Sequence, residues 1–160
     1  TGQTALYLFA QKGKLNAVKV LIEKGADVNL ATLDKTTPLM AAANNGHVDV
    51  VALLVERGAD IQAKDQIQLT AVIYAAGQGK VDVMSYLLDQ GIDVNQRYKH
   101  DTTLLMWAAG YGQLDAVKAL ITRGADPTLV DDRGKTALVV ARDQKLADVV
   151  AYLEGVMPAK

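Results

Sequence analysis

The sequence repeats itself every 33 residues. Threonine stands at Thr4, Thr37, Thr70, Thr103 and Thr136, and leucine at Leu21, Leu54, Leu87, Leu120 and Leu153. Glycine recurs at Gly13, Gly46, Gly79 and Gly112, and again at Gly25, Gly58, Gly91 and Gly124, with aspartate two places after the second set at Asp27, Asp60, Asp93 and Asp126. Five columns that keep one step without an insertion define an array. A fixed period of roughly 20–50 residues is the mark of stacked units rather than of a globule around one cleft.

Each unit reads as two short helices. Thr37 is placed as an N-cap, and Pro38 sits at the first helical position, where a missing N–H costs nothing. Leu39, Ala42 and Ala43 give an apolar stripe at helical spacing, and Gly46 ends the helix as a residue that tolerates positive φ. His47 follows in the turn. A second helix is predicted from about Val48 to Arg57, with Asp49 in its first turn facing the helix dipole. Gly58 closes it, and the stretch from Ala59 to Leu69 is a loop that leads to the next threonine. Such a unit cannot bury its apolar face alone, whereas stacked units bury a continuous core. Paired alanines at Ala42-Ala43, Ala75-Ala76 and Ala108-Ala109 let neighbouring helices approach. The expected fold is all-α: an elongated, curved solenoid of helix pairs forming a single domain over residues 1–160.

These residues resemble ankyrin repeats. The period matches, as do Thr37-Pro38-Leu39 followed by Ala42-Ala43 and Gly46-His47, and the inter-repeat runs Gly25-Ala26-Asp27-Val28-Asn29 and Gly58-Ala59-Asp60. The resemblance runs from about Gly2 to Leu153. It implies repeats at about 2–34, 35–67, 68–100, 101–133 and 134–160, stacked as helix pairs with projecting β-turn fingers. The chain departs from the family pattern in places. The usual histidine after Thr-Pro-Leu is Tyr7, Met40, Ile73, Met106 and Val139, so apolar packing is expected to replace a Thr–His hydrogen bond. The finger glycine is kept as Gly2 and Gly134 but is Lys35, Gln68 and Asp101 between them.

The two ends differ. The last repeat carries Arg142, Lys145 and Glu154 where inner repeats carry alanine, glycine and an apolar residue, as a terminal cap should. The first repeat keeps Leu6, Leu8, Phe9, Val18, Val20, Leu21 and Ile22 apolar, and Phe9 enlarges an alanine column. A further repeat or helix packed on that side is one reading, and a greasy natural cap is the other. The chain opens on Thr1 with no signal-peptide pattern, so a trimmed or processed chain is expected, cytoplasmic or exported after signal removal.

Composition narrows function. Lys plus Arg number 17 and Asp plus Glu 18 in 160 residues, for a net charge of −1. Nucleic-acid binders that neutralise many phosphates are strongly basic, so no nucleic-acid partner is expected, and there is no polybasic membrane patch. No apolar run approaches membrane-spanning length. With no cysteine in the chain, disulfides, cysteine–zinc sites and thiol nucleophiles are excluded.

No residue constellation points to catalysis, a metal or a cofactor. Ser85, the only serine, shares a column with Lys19, Ala52, Lys118 and Ala151 and has no base beside it. His47 reads as a turn residue, and His100 as a finger residue facing solvent or a partner. The column of Asp27, Asp60, Asp93 and Asp126 reads as loop carboxylates bonding local backbone, and Asp49, Asp82, Asp115 and Asp148 as helix starts. Asp131-Asp132 reads as a solvated finger tip in preference to a weak cation site. The glycines end helices and build no phosphate loop.

The resemblance implies a protein partner on the concave face, made from finger tips and the exposed side of the first helices. The finger residues singled out are Leu33, Asp34, Ile67, Leu69, Tyr98, Lys99, His100 and Arg133, and the helix residues Asn44, Asn45, Tyr74, Gln78, Trp107 and Tyr111. Trp, Tyr and Arg most often dominate binding energy. Tyr74 and Trp107 share one column and admit two readings, packing between helices or contact with a partner. Ile67 and Leu69 are unusually apolar for a loop, so a partner with apolar anchors and some negative charge is expected. The leading reading is a monomeric, non-enzymatic binding module, acting as a scaffold or a stoichiometric inhibitor. The alternative is a spacer segment of a longer array.

Overall fold

The computed structural model describes residues 2–157, and among these there are ten α-helices and no strands. They come as five pairs: α1 (Ala5–Gln11) with α2 (Leu15–Glu23), α3 (Pro38–Asn45) with α4 (Val48–Glu56), α5 (Ala71–Gly77) with α6 (Val81–Asp89), α7 (Leu104–Gly110) with α8 (Leu114–Thr122), and α9 (Ala137–Asp143) with α10 (Ala147–Val156). Each pair contacts its neighbours in order. The first helices α1, α3, α5, α7 and α9 touch more extensively than the second helices do.

The threonine column starts the first helices. Thr4, Thr37, Thr103 and Thr136 each accept the N–H three residues on, at 3.1–3.4 Å. Thr70 does not, and its hydroxyl is buried without a partner. The alanine pairs are fully buried between first helices, which is why those helices come closest. Below them Leu39, Leu54, Met84, Leu87, Leu104, Leu120 and Leu153 run as one continuous core. Each such side chain taken out of water contributes roughly 1.5–3 kcal/mol. In the column where the family pattern has histidine, Tyr7, Met40, Ile73 and Met106 are buried and Val139 is half-buried, so apolar packing replaces it in the first four repeats.

The first glycine column has two reasons to be glycine. Gly13 has φ +65, and a Cβ there would lie 2.5 Å from Nδ1 of His47 in the next repeat. That ring is held by its Nε2, 3.1 Å from the Gln11 carbonyl oxygen. His47 is therefore an inter-repeat strut. Lys145, in the same column, takes φ +59 without glycine's freedom. The aspartates Asp27, Asp60, Asp93 and Asp126 each accept the N–H two residues on at 2.8–2.9 Å, the local turn role read from the sequence.

At the ends, Arg142 and Glu154 pair at 2.6 Å on the outer face of the last repeat. Leu8, Phe9 and Val20 of the first repeat are exposed.

Candidate functional site: the finger and first-helix face

Between the helix pairs lie four fingers, each closed by a backbone bond across its base: Thr32 N–H to Thr36 O, Asp65 N–H to Leu69 O, Tyr98 N–H to Thr102 O and Asp131 N–H to Lys135 O. What differs is the side chain at the first position. In the second finger Asp65 Oδ1 accepts from the amides of Ile67 and Leu69, both at 2.9 Å. In the fourth, Asp131 Oδ1 accepts from Arg133 N–H at 3.0 Å and Lys135 N–H at 2.9 Å. Its Oδ2 takes the Arg133 guanidinium, Nη2 at 2.6 Å and Nε at 3.0 Å. Both aspartates are buried, which corrects the reading of Asp131 as a solvated tip. Asp131 accepts its hydrogen bonds on both oxygens from within its own finger, which satisfies the carboxylate without water. Burial pushes the Asp131 carboxyl up, but the Lys135 and Arg133 donors outweigh it and hold the group below the usual aspartate range.

Tyr98 occupies this position in the third finger and is also a correction. It is 8% exposed, so it is buried under the finger and does not present its ring to solvent. Its phenol cannot reach the finger amides, and its hydroxyl finds no partner. This finger coils into a 3-10 turn at Lys99–Asp101, with His100 (φ +60) and Asp101 (φ +55) both left-handed. Thr102 Oγ1 donating to Lys99 O at 2.9 Å ties this turn instead. Lys35 and Gln68 also take positive φ where the finger glycine is missing.

The aromatic residues sit where these fingers meet the first helices. Tyr74 Oη donates to Asp65 Oδ2 at 2.6 Å, and Trp107 Nε1 donates to Thr102 Oγ1 at 3.1 Å. Each ring is thus tied to the base of its own finger. Both are half-buried and packed against the core, yet both also line open clefts. The packing reading therefore holds for one side of each ring, while the other side faces a cleft. Tyr111 is 60% exposed and stacks on Trp107 with centroids 6.1 Å apart and planes 12° apart. It lies over Gly77, where a Cβ would be 3.6 Å from its ring.

Two grooves flank Trp107. One, of about 390 Å³, runs between α7 and α9 and is lined by Trp107, Tyr111, Gly110, Val140, Gln144, Arg133 and neighbours. The other, of about 500 Å³, runs across the second, third and fourth fingers and holds Ile67, Leu69, Lys99, His100, Trp107, Asp132 and Arg133. Gln78 lines a small cleft between Tyr74, Trp107 and Tyr111. Asn44 and Asn45 line a separate shallow groove of about 170 Å³ with Tyr7, Gln11 and Tyr74. Leu33 and Asp34 are exposed on the first finger and line none of these grooves. Gly110, expected from the sequence to leave a groove beside the aromatics, does line one, whereas Val140 was not singled out. Val140 stands in the Tyr74 and Trp107 column, which was the available signal. His100 and Asp132 join the third finger to the fourth, Nδ1 to Oδ2 at 2.7 Å.

Among the described residues no group of three or more metal-ligating side chains comes together, and no described helix is long and apolar enough to cross a membrane. A search of the curated proteins finds no match. The family model described as ankyrin repeats (three copies) matches residues 1–65, 63–131 and 101–155. Proteins of this kind generally mediate protein–protein interactions and are typically non-enzymatic. With the threonine-capped helix pairs, the fingers and this match running together from end to end, the chain belongs to the ankyrin-repeat family.

Proposed function

We propose that this chain is a non-enzymatic binding module whose partner protein seats on the concave face, against the third and fourth fingers and the helices α5, α7 and α9. The observation that carries this reading is the Trp107–Tyr111 stack with a groove on either side. A rigid aromatic pair offers a large contact area at low entropic cost, and such residues anchor interfaces. The indole N–H of Trp107 is already bonded to Thr102, so that ring offers its apolar face. The module acts as a scaffold or as a stoichiometric inhibitor that masks its partner.

The test is affinity capture from an extract of the source organism, with the whole chain and with a Trp107→Ala/Tyr111→Ala variant matched for thermal stability. A protein retained by the first and lost by the second supports the reading. The same proteins on both baits count against it. The exposed Leu8, Phe9 and Val20 favour a second reading, a spacer within a longer array, for which neither bait would retain a partner. We take the chain as a cytoplasmic monomer; light scattering of the purified chain checks the monomer, and fractionation of source cells the compartment.

A further inference from the structure

The loops that follow α2, α4, α6 and α8 are not evenly joined. The first and second are stapled at both ends. Asn29 Nδ2 donates to Gly58 O at 3.1 Å while its Oδ1 accepts Asp60 N–H at 2.9 Å, and Gln66 N–H donates to Asp34 O at 3.0 Å. The third and fourth repeat this arrangement through Asn95, Gly124 O and Asp126 N–H, with Asp132 N–H donating to His100 O at 3.0 Å.

Between the second and third loops both staples are missing. Gln62 stands where Asn29 and Asn95 stand, and its only bond across is a long, exposed one from Gln96 Nε2 at 3.3 Å. The finger bond in this register would run from Lys99 N–H to Ile67 O. Neither atom has a partner within the described residues. On this side Tyr98 stands in the column that holds a carboxylate in the second and fourth fingers, and the third finger coils into its 3-10 turn. The 500 Å³ groove takes in this seam and reaches Asp132 and Arg133 of the fourth finger, within the roughly 300–1,000 Å³ usual for ligand clefts.

We propose that this seam is the peptide-binding subsite of the module, and that it takes an extended segment of the partner carrying a large apolar side chain next to a carboxylate. Three features set that chemistry. A free amide at Lys99 and a free carbonyl at Ile67 offer one donor and one acceptor to an extended backbone, the pairing by which strands are added to an edge. Ile67, 59% exposed, forms an apolar wall with Leu69 and the face of Trp107. The rim is cationic: Lys99 has no carboxylate partner, and the Arg133 side chain is 64% exposed while the carboxylate beneath it is 1% exposed. The one exposed carboxylate lining the groove, Asp132, is turned to His100.

This inference rests on the binding-module reading above, and its test separates the two. Random linear twelve-residue peptides displayed on phage are selected on the whole chain, and enriched peptides are titrated with the fluorescence of Trp107, the only tryptophan. The expected peptides share an apolar residue beside Asp or Glu. Their affinity should fall about tenfold or more in Ile67→Lys and in Lys99→Glu, the scale of an interface hot spot. Both positions are exposed, so the thermal midpoints should stay unchanged. The Lys99 amide should also exchange more slowly in the complex than in the free chain. Peptides that bind both variants as tightly as the parent, a Lys99 amide unaffected by binding, or a selection without enrichment overturns the seam. Enriched peptides that ignore both variants yet are lost on Tyr111→Ala overturn the seam while leaving the concave-face module standing. Peptides indifferent to every one of these changes count against both.

Discussion

Tyr74 donates its phenol proton to Oδ2 of Asp65 at 2.6 Å, so an aromatic ring on a first helix and the second finger are held by one hydrogen bond. The other oxygen of Asp65 holds the finger amides. Tyr74→Phe should leave the fold intact and cost about 1.5–3 kcal/mol in urea unfolding, as for a hydrogen bond to a charged acceptor. Burial and the Asp65 carboxylate, in that order, push the Tyr74 phenol well above its ordinary value. A group raised in the folded state adds stability below its unfolded value of about 10, and that stability is lost as pH rises through the folded value. In tyrosinate absorbance, Tyr74 should therefore ionise late, and Tyr74→Phe should remove that late step. Burial and the nearby Asp93 also raise Tyr98, so a second late step should remain. A late phase unchanged in Tyr74→Phe would show that the Asp65 bond does not form in solution.

Asp131 gives the opposite sign. Its carboxyl is held below the usual range, so its contribution is complete above about pH 4 and fades as pH falls through its folded value. Asp131→Asn keeps an oxygen for the Arg133 and Lys135 amides but loses the charge under the guanidinium. The variant should melt a few degrees below the parent at pH 7, and the gap should close in thermal scans carried down to acid pH. A gap that stays constant from neutral to acid pH would place the variant's effect on packing instead of charge.

One glycine column should show two opposite responses. Gly13→Ala puts a Cβ 2.5 Å from the His47 ring and forces a residue into φ +65. The cost should be about 2 kcal/mol or more, of which about 1 is the left-handed backbone. In a His47→Ala background only the backbone part should remain, so a double-mutant cycle should show coupling of about 1 kcal/mol. Lys145→Gly in the same column has φ +59 to relieve and should stabilise by about 0.5 kcal/mol, the strain relieved exceeding glycine's entropy. Strict additivity of Gly13→Ala and His47→Ala would mean that the strut does not bear on Gly13.

Much of this was legible before any coordinates, because a repeat states each structural role several times. The threonine caps, the glycine turns and the aspartate loops could be read from recurrence alone, and the Thr37, Gly46 and Asp60 positions behave as their columns do. What recurrence hides is the exception. Tyr98 looked like a finger aromatic fit for a partner, yet it fills a column otherwise held by Thr32, Asp65 and Asp131, whose oxygens turn inward to the finger's own amides. The exposure of a finger residue depends on which way that first side chain points, and residue type alone does not give this. Thr70 is the same lesson in reverse: it sits in the cap column but makes no cap. The aromatic column was legible as a column but not as a face, since Tyr74 and Trp107 pack on one side and line grooves on the other.

The Tyr98 exception should be visible in amide exchange. Gln66 N–H and Asp132 N–H cross from finger to finger, onto Asp34 O and His100 O, each at 3.0 Å. The equivalent Lys99 N–H has no acceptor, so it should exchange markedly faster than those two in the free chain. Tyr98→Asp should restore the carboxylate that organises the second and fourth fingers. It opens space where a buried ring stood, so some global stability should be lost. Even so, the Lys99 amide should slow relative to Gln66 and Asp132 as the third finger uncoils toward its neighbour. Measuring the ratio of these rates, instead of the rates themselves, removes the change in global stability. Equal protection of Lys99 and Asp132 in the parent would mean that the seam is already closed in solution. A ratio unmoved by Tyr98→Asp would place the cause of the open seam elsewhere, at Gln62 in the asparagine column.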